Sequence, residues 1–391
     1  MKTFAHLDLQ GKKVILRADL NVPVKDGKII DASRIIRLKP TIEKLKEMGA
    51  RIIIVSHFGR PDGQVLPEFS LKFMVDFLAK IFETKVDFFA GSYNEAAQGK
   101  VLHLRESEIL LLENVRFHPE EEANDEGFAK QLASLGDVYI NDAFACSHRA
   151  HASIAAITKF IPSYAGLLLL AEVENLEKVL SGNSSPRLAI VAGKKVSTKF
   201  PILKHLIKKV DKLYIAGAMA NTFLFALGKD IGSSYYEAEV LPEVKTFYLT
   251  HKDKIMLPKD FIAATREGES FVKVRNTDTI NSAEAILDIG AASSQELVKY
   301  LHSVRTLLWN GPLGMYEDPR FAKATNLVAH EVSNLTSQHK LISVAGGGDI
   351  VAALEQAGYA NGFSYISTAG GAFLEWLEGK ELPGIKALKH V

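Results

Sequence analysis

The chain has 391 residues and carries 47 Lys and Arg against 46 Asp and Glu, for a formal charge of +1, with a single cysteine, Cys146. So even a balance excludes a broadly basic nucleic-acid face or a polybasic membrane anchor, and one cysteine excludes an internal disulfide and suits a reducing cytosol. The length exceeds the roughly 250 to 300 residues at which one core stops growing, so two domains are expected; MKTFAHLDLQGKK lacks the apolar core of a signal peptide and no stretch suits a bilayer, so a cytoplasmic protein is expected.

From the N-terminus, short continuous apolar runs at Val14 to Leu16, Ile52 to Val55, Ile109 to Leu112 and Val138 to Ile140 read as buried strands. Between them, Arg34 to Lys46 and Leu71 to Ile81 have helical spacing. Such alternation predicts parallel strands covered on both faces, with ligands bound beyond the carboxyl ends of the strands. Charge collects at those ends. Arg17, Asp19, Asn21 and Pro23 follow the first run, then Asp31 and Arg34. SHFGRP (Ser56 to Pro61) follows the second, ENVRF (Glu113 to Phe117) the third, and NDAFACSHRAHAS (Asn141 to Ser153) the fourth. Taken singly, an Arg after a strand is ordinarily solvated or salt-bridged, and a lone His is ordinarily structural. Spread over four strand ends, Arg34, His57, Arg60, Arg116, His148, Arg149 and His151 point instead to a small, multiply anionic ligand, because guanidinium forks bind carboxylate and phosphate oxygens in pairs. Asp19 and Asn21 suit a hydroxyl on that ligand. A zinc site built from the histidines is the weaker reading, since arginines among the ligands repel a cation and the spacing fits no common zinc pattern.

In the middle of the chain, Ala165 to Leu180 (AGLLLLAEVENLEKVL) spaces Leu167, Leu170, Val173, Leu176 and Val179 as one face of an amphipathic helix, with charge at Glu172, Glu174, Glu177 and Lys178. Ser163 is placed to cap its start and Gly182 to end it. At about 1.5 Å per residue such a helix spans roughly 24 Å, which makes it the natural seam between two domains. Beyond it the alternation resumes, with strands expected at Leu188 to Val191, Leu213 to Ile215, Thr306 to Trp309, Leu341 to Val344 and Ser364 to Ile366. AGKKVSTK (Ala192 to Lys199) puts Lys195 and Lys199 four apart on one helical face. AGAMANTF (Ala216 to Phe223), WNGPLGMYE (Trp309 to Glu317), GGGD (Gly346 to Asp349) and STAGGA (Ser367 to Ala372) follow other strands. Glycine at a helix start lets backbone N–H groups reach a phosphate, so GGGD is a candidate phosphate turn with Asp349 placed to hold a phosphate-bound Mg²⁺. The plainer reading makes it a tight turn with Asp349 as the helix cap. Neither a Walker A sequence nor GxGxxG is present, which leaves a nucleotide site assembled from separate glycine loops.

In this order the motifs resemble those of phosphoglycerate kinases through essentially the whole chain. The carriers are VILRADLNVP with Asp31 and Arg34, SHFGRP, ENVRF, NDAFACSHRAHAS, AGKKVSTK, AGAMANTF, LPKD (Leu257 to Asp260), WNGPLGMYE, GGGD and STAGGA. The resemblance implies an α/β protein of two doubly wound, Rossmann-like parallel-sheet domains joined by the central helix, with a cleft between them. Residues 1–166 would bind 3-phosphoglycerate, 167–182 form the helix, 183–372 bind nucleotide, and 373–391 return to the first domain. The implied reaction is reversible, Mg²⁺-dependent phosphoryl transfer between 1,3-bisphosphoglycerate and ADP, giving 3-phosphoglycerate and ATP, in glycolysis. A hinge-bending monomer is implied, with small-molecule partners and neither nucleic acid nor membrane. Carried over by position, Asp19, Asn21, Arg34, His57, Arg60, Arg116 and Arg149 hold 3-phosphoglycerate. Lys195, Lys199, Gly217, Glu317, Gly346, Gly347, Gly348 and Asp349 meet the nucleotide, with Glu317 at the ribose and Asp349 at the metal. Arg34, Lys195, Gly347 and Gly370 act on the transferring group.

The chain departs from the family's usual pattern only on the nucleotide side. Ala192-Gly193-Lys194-Lys195 stands for Gly-Gly-Ala-Lys, Ala216-Gly217 for Gly-Gly, and Ala369-Gly370-Gly371 for a Gly triplet; Ile350 replaces a hydroxyl residue and Ala291 a Pro. An extra methyl where backbone must approach phosphate is expected to weaken nucleotide binding without abolishing the chemistry. Two rival readings accompany the main one. The first is a catalytically impaired relative acting as a ligand-binding scaffold; the second, a nicotinamide dehydrogenase, is disfavoured by the missing GxGxxG and acidic ribose partner.

Overall fold

The structure is a computed structural model that describes residues 1–93, 95–181, 184–265 and 273–389. It divides into two compact units, the first of Met1–Val173 with Glu381–Val391 and the second of Glu174–Lys380. The division falls inside the helix Leu167–Ser181, and Phe373, where the return was placed, lies in the helix Gly371–Leu377 of the second unit. Gly182, expected to end the Leu167–Ser181 helix, lies outside the described residues.

The first unit is built on a six-stranded sheet in the spatial order Val86–Phe89, Ile109–Leu112, Arg51–Val55, Lys13–Arg17, Val138–Asn141, Ser163–Ala165, all neighbours parallel. Alternate side chains of the strands enter opposite cores. Val14, Leu16, Ile52 and Ile54 pack on one face, and Ile15, Ile53 and Val55 on the other. This is why the strands read as continuous apolar runs: neither face meets water.

The second unit repeats the scheme in the order Ile255–Met256, Lys212–Ala216, Arg187–Ala192, Thr306–Asn310, Ile342–Gly346, Tyr365–Ser367, again parallel throughout. Trp309 lies fully buried in its core. An antiparallel sheet not anticipated from sequence, Lys273–Asn276, Asp260–Thr265 and Glu284–Ile289, is added to this unit.

Three expected elements take different forms. Arg34 to Lys46 splits into Ser33–Ile36 and Lys39–Glu47, because Pro40 has no N–H to donate and its ring crowds the preceding turn. Leu71 to Ile81 begins as a 3₁₀ turn, Leu71–Met74, capped by Ser70, before the helix Val75–Phe82. Ser163 does not cap the linking helix. It sits in the last parallel strand, its hydroxyl donating to Ile161 O at 2.8 Å. Among the described residues no helix is long and apolar enough to cross a membrane.

Candidate active site

The charged loops of the first unit leave the carboxyl ends of its strands and are stitched together by hydrogen bonds. Buried Asp19 accepts from Arg34 Nη1 at 2.9 Å through Oδ2 and from Asn21 N at 3.1 Å through Oδ1; Arg34 Nη1 also donates to Asn21 O at 3.1 Å. Asn21 Oδ1 accepts from Gly59 N at 2.9 Å, and Gly59 O accepts from Arg116 Nη1 at 2.8 Å. One chain of bonds therefore links loops from three strands. Buried His57 places Nδ1 3.4 Å from Arg17 Nη2 and 3.8 Å from Cys146 Sγ. Burial, then the charges of Arg17, Arg116, His151 and Arg149, push its pKa far below the ordinary value, so the ring is neutral. His151 is pushed down to about 3, by burial and then by Arg116, Arg17 and Arg149. Its 3.7 Å approach to Glu121 is accordingly made by a neutral imidazole and is no ion pair.

Asp19, Asn21, Arg34 and Arg116 are thus linked through hydrogen bonds, Arg116 by way of Gly59, and a ring nitrogen of His57 lies within 4.8 Å of the Asp19 carboxylate. Arg149, half-buried, acts on His57 and His151 through its charge, and Arg60 stands exposed beside Gly59. Ligand atoms of Asp19, His57 and Cys146 come within 4.8 Å of one another, but Arg34 and Arg17 already engage the first two, so this corner favours an anion. Sequence reading missed the support beneath it. Fully buried Arg17 donates from Nε to Ser153 Oγ at 2.9 Å, and Ser153 donates to buried Glu121 from Oγ at 2.6 Å and N at 2.8 Å. Helical phase in the run Pro119–Glu122 is the one signal that could have singled out Glu121 among its acidic neighbours.

In the second unit the glycine loops gather at the strand ends. Gly217 has φ +67°, and a Cβ there would stand 2.9 Å from Gly193 N and 3.0 Å from Gly193 O, so only glycine lets these two loops touch. Gly347, at φ +107°, precedes the helix Gly348–Gln356, and a Cβ on it would lie 2.5 Å from Asn310 Nδ2. Gly370 precedes the helix Gly371–Leu377 in the same way. Asn310 ties the loops together, donating to Gly346 O at 2.6 Å and accepting from Lys199 Nζ at 2.7 Å. Lys199 Nζ also donates to Ala192 O. Burial lowers its pKa to about 8, with Asp349 pulling the other way.

Lys195 is exposed at the residue before the helix Val196–Leu206, whose first turn is held by Glu237 through Ser197 N at 3.0 Å and Ser197 Oγ at 2.6 Å. Asp349 is not the helix cap: that residue is Gly347, and Asp349 lies exposed in the first turn. A cavity of about 620 Å³ runs past Gly193, Gly217, Glu317 and Asp349, with an apolar wall that includes Phe261, Ile286 and Leu313. Lys194 also lines it, its Nζ 5.2 Å from the Tyr235 ring centroid. Polar glycine loops at one side and an apolar wall at the other suit a phosphorylated ligand with a flat apolar group.

A sequence profile of the family described as phosphoglycerate kinase matches residues 4–380. The chain belongs to the phosphoglycerate kinase family. The phosphoglycerate kinase of Ruegeria sp. (strain TM1040) is 48% identical over 99% of this chain and 99% of its own length, and that of Methylorubrum extorquens (strain PA1) is 46% identical over 100% and 99%. Among solved structures, the phosphoglycerate kinase from Coxiella burnetii superposes with a TM-score of 0.93 at 40% identity, covering 99% of this chain and 98% of that one. The phosphoglycerate kinase from Pyrococcus horikoshii OT3 gives 0.84 at 28%, covering 100% and 98%.

Within this phosphotransferase family the departures of the chain now have physical settings. Ala192 and Ala216 are fully buried members of the core of the second unit, and Ala369 is nearly fully buried. Ile350 is likewise core, fully buried against the second sheet. Ala291 opens the helix Ala291–Leu301, the one helical position where a Pro and an Ala satisfy the backbone equally.

Proposed function

We propose that the chain transfers a phosphoryl group reversibly between 1,3-bisphosphoglycerate and ADP, giving 3-phosphoglycerate and ATP. The observation that carries this reading is the division of labour between the units: a buttressed set of guanidinium groups at the strand ends of the first, and glycine loops with Lys199 and Asp349 beside a cavity in the second. Arg34, Arg60, Arg116 and Arg149 are assigned to the charged ends of 3-phosphoglycerate, with Asp19, Asn21 and neutral His57 on its hydroxyl and carboxyl oxygens. Lys195, Lys199, Gly217 and the Gly346 to Gly348 turn are assigned to the nucleotide phosphates, and Glu317 to the ribose.

In-line transfer between a carboxylate and a phosphate needs positioning and charge neutralisation rather than a covalent relay. Arg34 from one unit and Lys195 from the other would spread the charge of the transferring oxygens, with the backbone N–H groups at Gly347 and Gly370 adding donors. One carboxylate with nucleotide phosphates is a common way to hold Mg²⁺, and exposed Asp349 beside the cavity offers that carboxylate. Bound there, the ion would neutralise phosphate charge. Bringing the two ligands together excludes water that would hydrolyse the acyl phosphate, so we assign domain closure to the cycle. Free, buried Cys146 fits the reducing cytoplasm in which such a step would run.

No observation favours the scaffold reading, and the departures Ala192, Ala216 and Ala369 are buried. The test is a coupled assay of ATP-dependent phosphorylation of 3-phosphoglycerate by purified protein. Turnover is expected; its absence in a folded sample that binds both ligands would restore the scaffold.

A further inference from the structure

The cavity of about 620 Å³ in the second unit is unevenly charged. Asp288, Glu317 and Asp349 line it, and the one cationic side chain among its described lining residues is Lys194. Lys195 and Lys199 stand outside that lining. Lys199 is turned inward, donating to Ala192 O and, at 2.7 Å, to Asn310 Oδ1, and Lys195 is exposed at the residue before the helix Val196–Leu206. An anion that enters the cavity therefore has Lys194 as the lining side chain able to neutralise it.

Lys194 has a seat there. Its Nζ stands 5.2 Å from the centroid of the Tyr235 ring, which lines the same cavity and whose face attracts a cation. The segment that carries the ring is fixed in turn: Tyr235 O accepts from Asn221 Nδ2 at 3.4 Å, and two residues on, the Glu237 carboxylate accepts from Ser197 N at 3.0 Å and Ser197 Oγ at 2.6 Å. Tyr235 is thus tied to the helix start that follows Lys194. The apolar wall of Phe261, Ile286 and Leu313 suits a flat base, which carries no negative charge. The first charged oxygens that a nucleotide brings past such a wall are those of the phosphate attached to its ribose.

We propose that Lys194 is a specificity-determining residue that pairs with the ribose-linked phosphate of the nucleotide, while Lys195 acts at the transferring end. The proposal rests on the assignment above of nucleotide to the second unit. A contact made to a phosphate that does not react is equally strong before and during transfer, so it sets affinity and leaves the chemical step alone.

The experiment compares Lys194→Met, which keeps the length of the stem and removes the charge, and Lys194→Arg, which keeps the charge, with the parent. Lys245→Met is the control: Lys245 is exposed on the helix Leu241–His251, outside the cavity lining, and its loss changes the net charge equally. AMP and ADP are titrated calorimetrically into the full chain in the presence of a chelator, so that no metal takes part, and steady-state kinetics are measured with Mg²⁺-ATP. Lys194→Met should weaken AMP and ADP alike by about tenfold, the worth of a charged hydrogen bond, and raise KM for ATP similarly with kcat within about twofold. Lys194→Arg should stay within about threefold of the parent, and Lys245→Met should match it. Parent-like AMP binding by Lys194→Met would overturn the proposal. So would a loss seen with ADP and not AMP, which would put the charge at a distal phosphate, a loss of kcat at unchanged KM, or an equal loss in Lys245→Met, which would make the effect one of net charge. A parent that binds neither AMP nor ADP removes the nucleotide assignment and this one together, whereas a binding parent with an indifferent Lys194→Met removes only this one.

Discussion

Arg34 holds Asp19 in an ion pair and leaves roughly a third of its side chain exposed, so it is anchored yet open to a ligand. Such a group contributes most where charge develops in the transition state. Arg34→Ala and Lys195→Ala should each lower kcat by about a hundredfold, on the order of 3 kcal/mol, with a smaller effect on KM. Arg37, three residues on, approaches buried Glu172 at 3.8 Å and so makes no neutral control. Exposed Arg105 serves instead; an Arg105→Ala variant as slow as Arg34→Ala would undo the assignment. Asp142 supplies a second residue-scale prediction. Burial pushes its carboxyl up to about 6, against the lowering pull of the Thr41 hydroxyl and the Leu169 and Leu168 amides. Its folded pKa therefore lies above the unfolded value of about 3.9, and the native state binds the extra proton between about pH 4 and pH 6. Stability from this group is present below about pH 4 and lost as pH rises through about 6, where the buried charge costs about 3 kcal/mol. Asp142→Asn is free of that cost, so its melting temperature relative to the parent should climb from pH 4 to pH 8. A difference that does not vary with pH would mean that Asp142 titrates normally.

At the scale of elements, the helix Gly348–Gln356 places Asp349, in its first turn, at the cavity. For Asp349→Asn we expect weaker Mg²⁺-nucleotide binding in calorimetry, with 3-phosphoglycerate binding nearly unchanged, because the loops we assign to glycerate belong to the other unit. Equal losses for both ligands would make Asp349 a structural group. What could be read in advance at this scale follows from what each element exposes. The runs Ile52 to Val55 and Ile109 to Leu112 were legible because both faces of a parallel sheet are dry, and the arginines because they stand just past such runs. Asp260–Thr265 and Glu284–Ile289 were not, since their ladder pairs segments some twenty residues apart with a register shift at Ile262, and their alternation is broken by small residues. Pro40 announced the helix break that periodicity alone overlooked. In the site, loops rich in glycine and arginine were visible, but Glu121 under Arg17 and Asp142 under Leu169 were not: their partners lie 32 and 27 residues away, and burial rather than residue type gives them their roles.

For the whole molecule, the two units each have their own sheet and core, and in the proposed function each takes one ligand. On that assignment neither ligand alone engages both units. If transfer requires the reacting oxygens to meet, the pair of ligands must favour an arrangement of the units that a single ligand does not, and the size of that preference equals their combined differential contacts. The linking helix Leu167–Ser181 and the crossing back at Glu381 are the two places where the chain passes between units, so the change in backbone angle must be taken up at their ends. Small-angle scattering should then show a smaller radius of gyration for the chain saturated with both 3-phosphoglycerate and a non-hydrolysable Mg²⁺-nucleotide than with either alone. Should the radius stay the same in a complex whose saturation is verified by calorimetry, the reacting arrangement would already exist without ligands, and the linking helix would be a strut rather than a hinge.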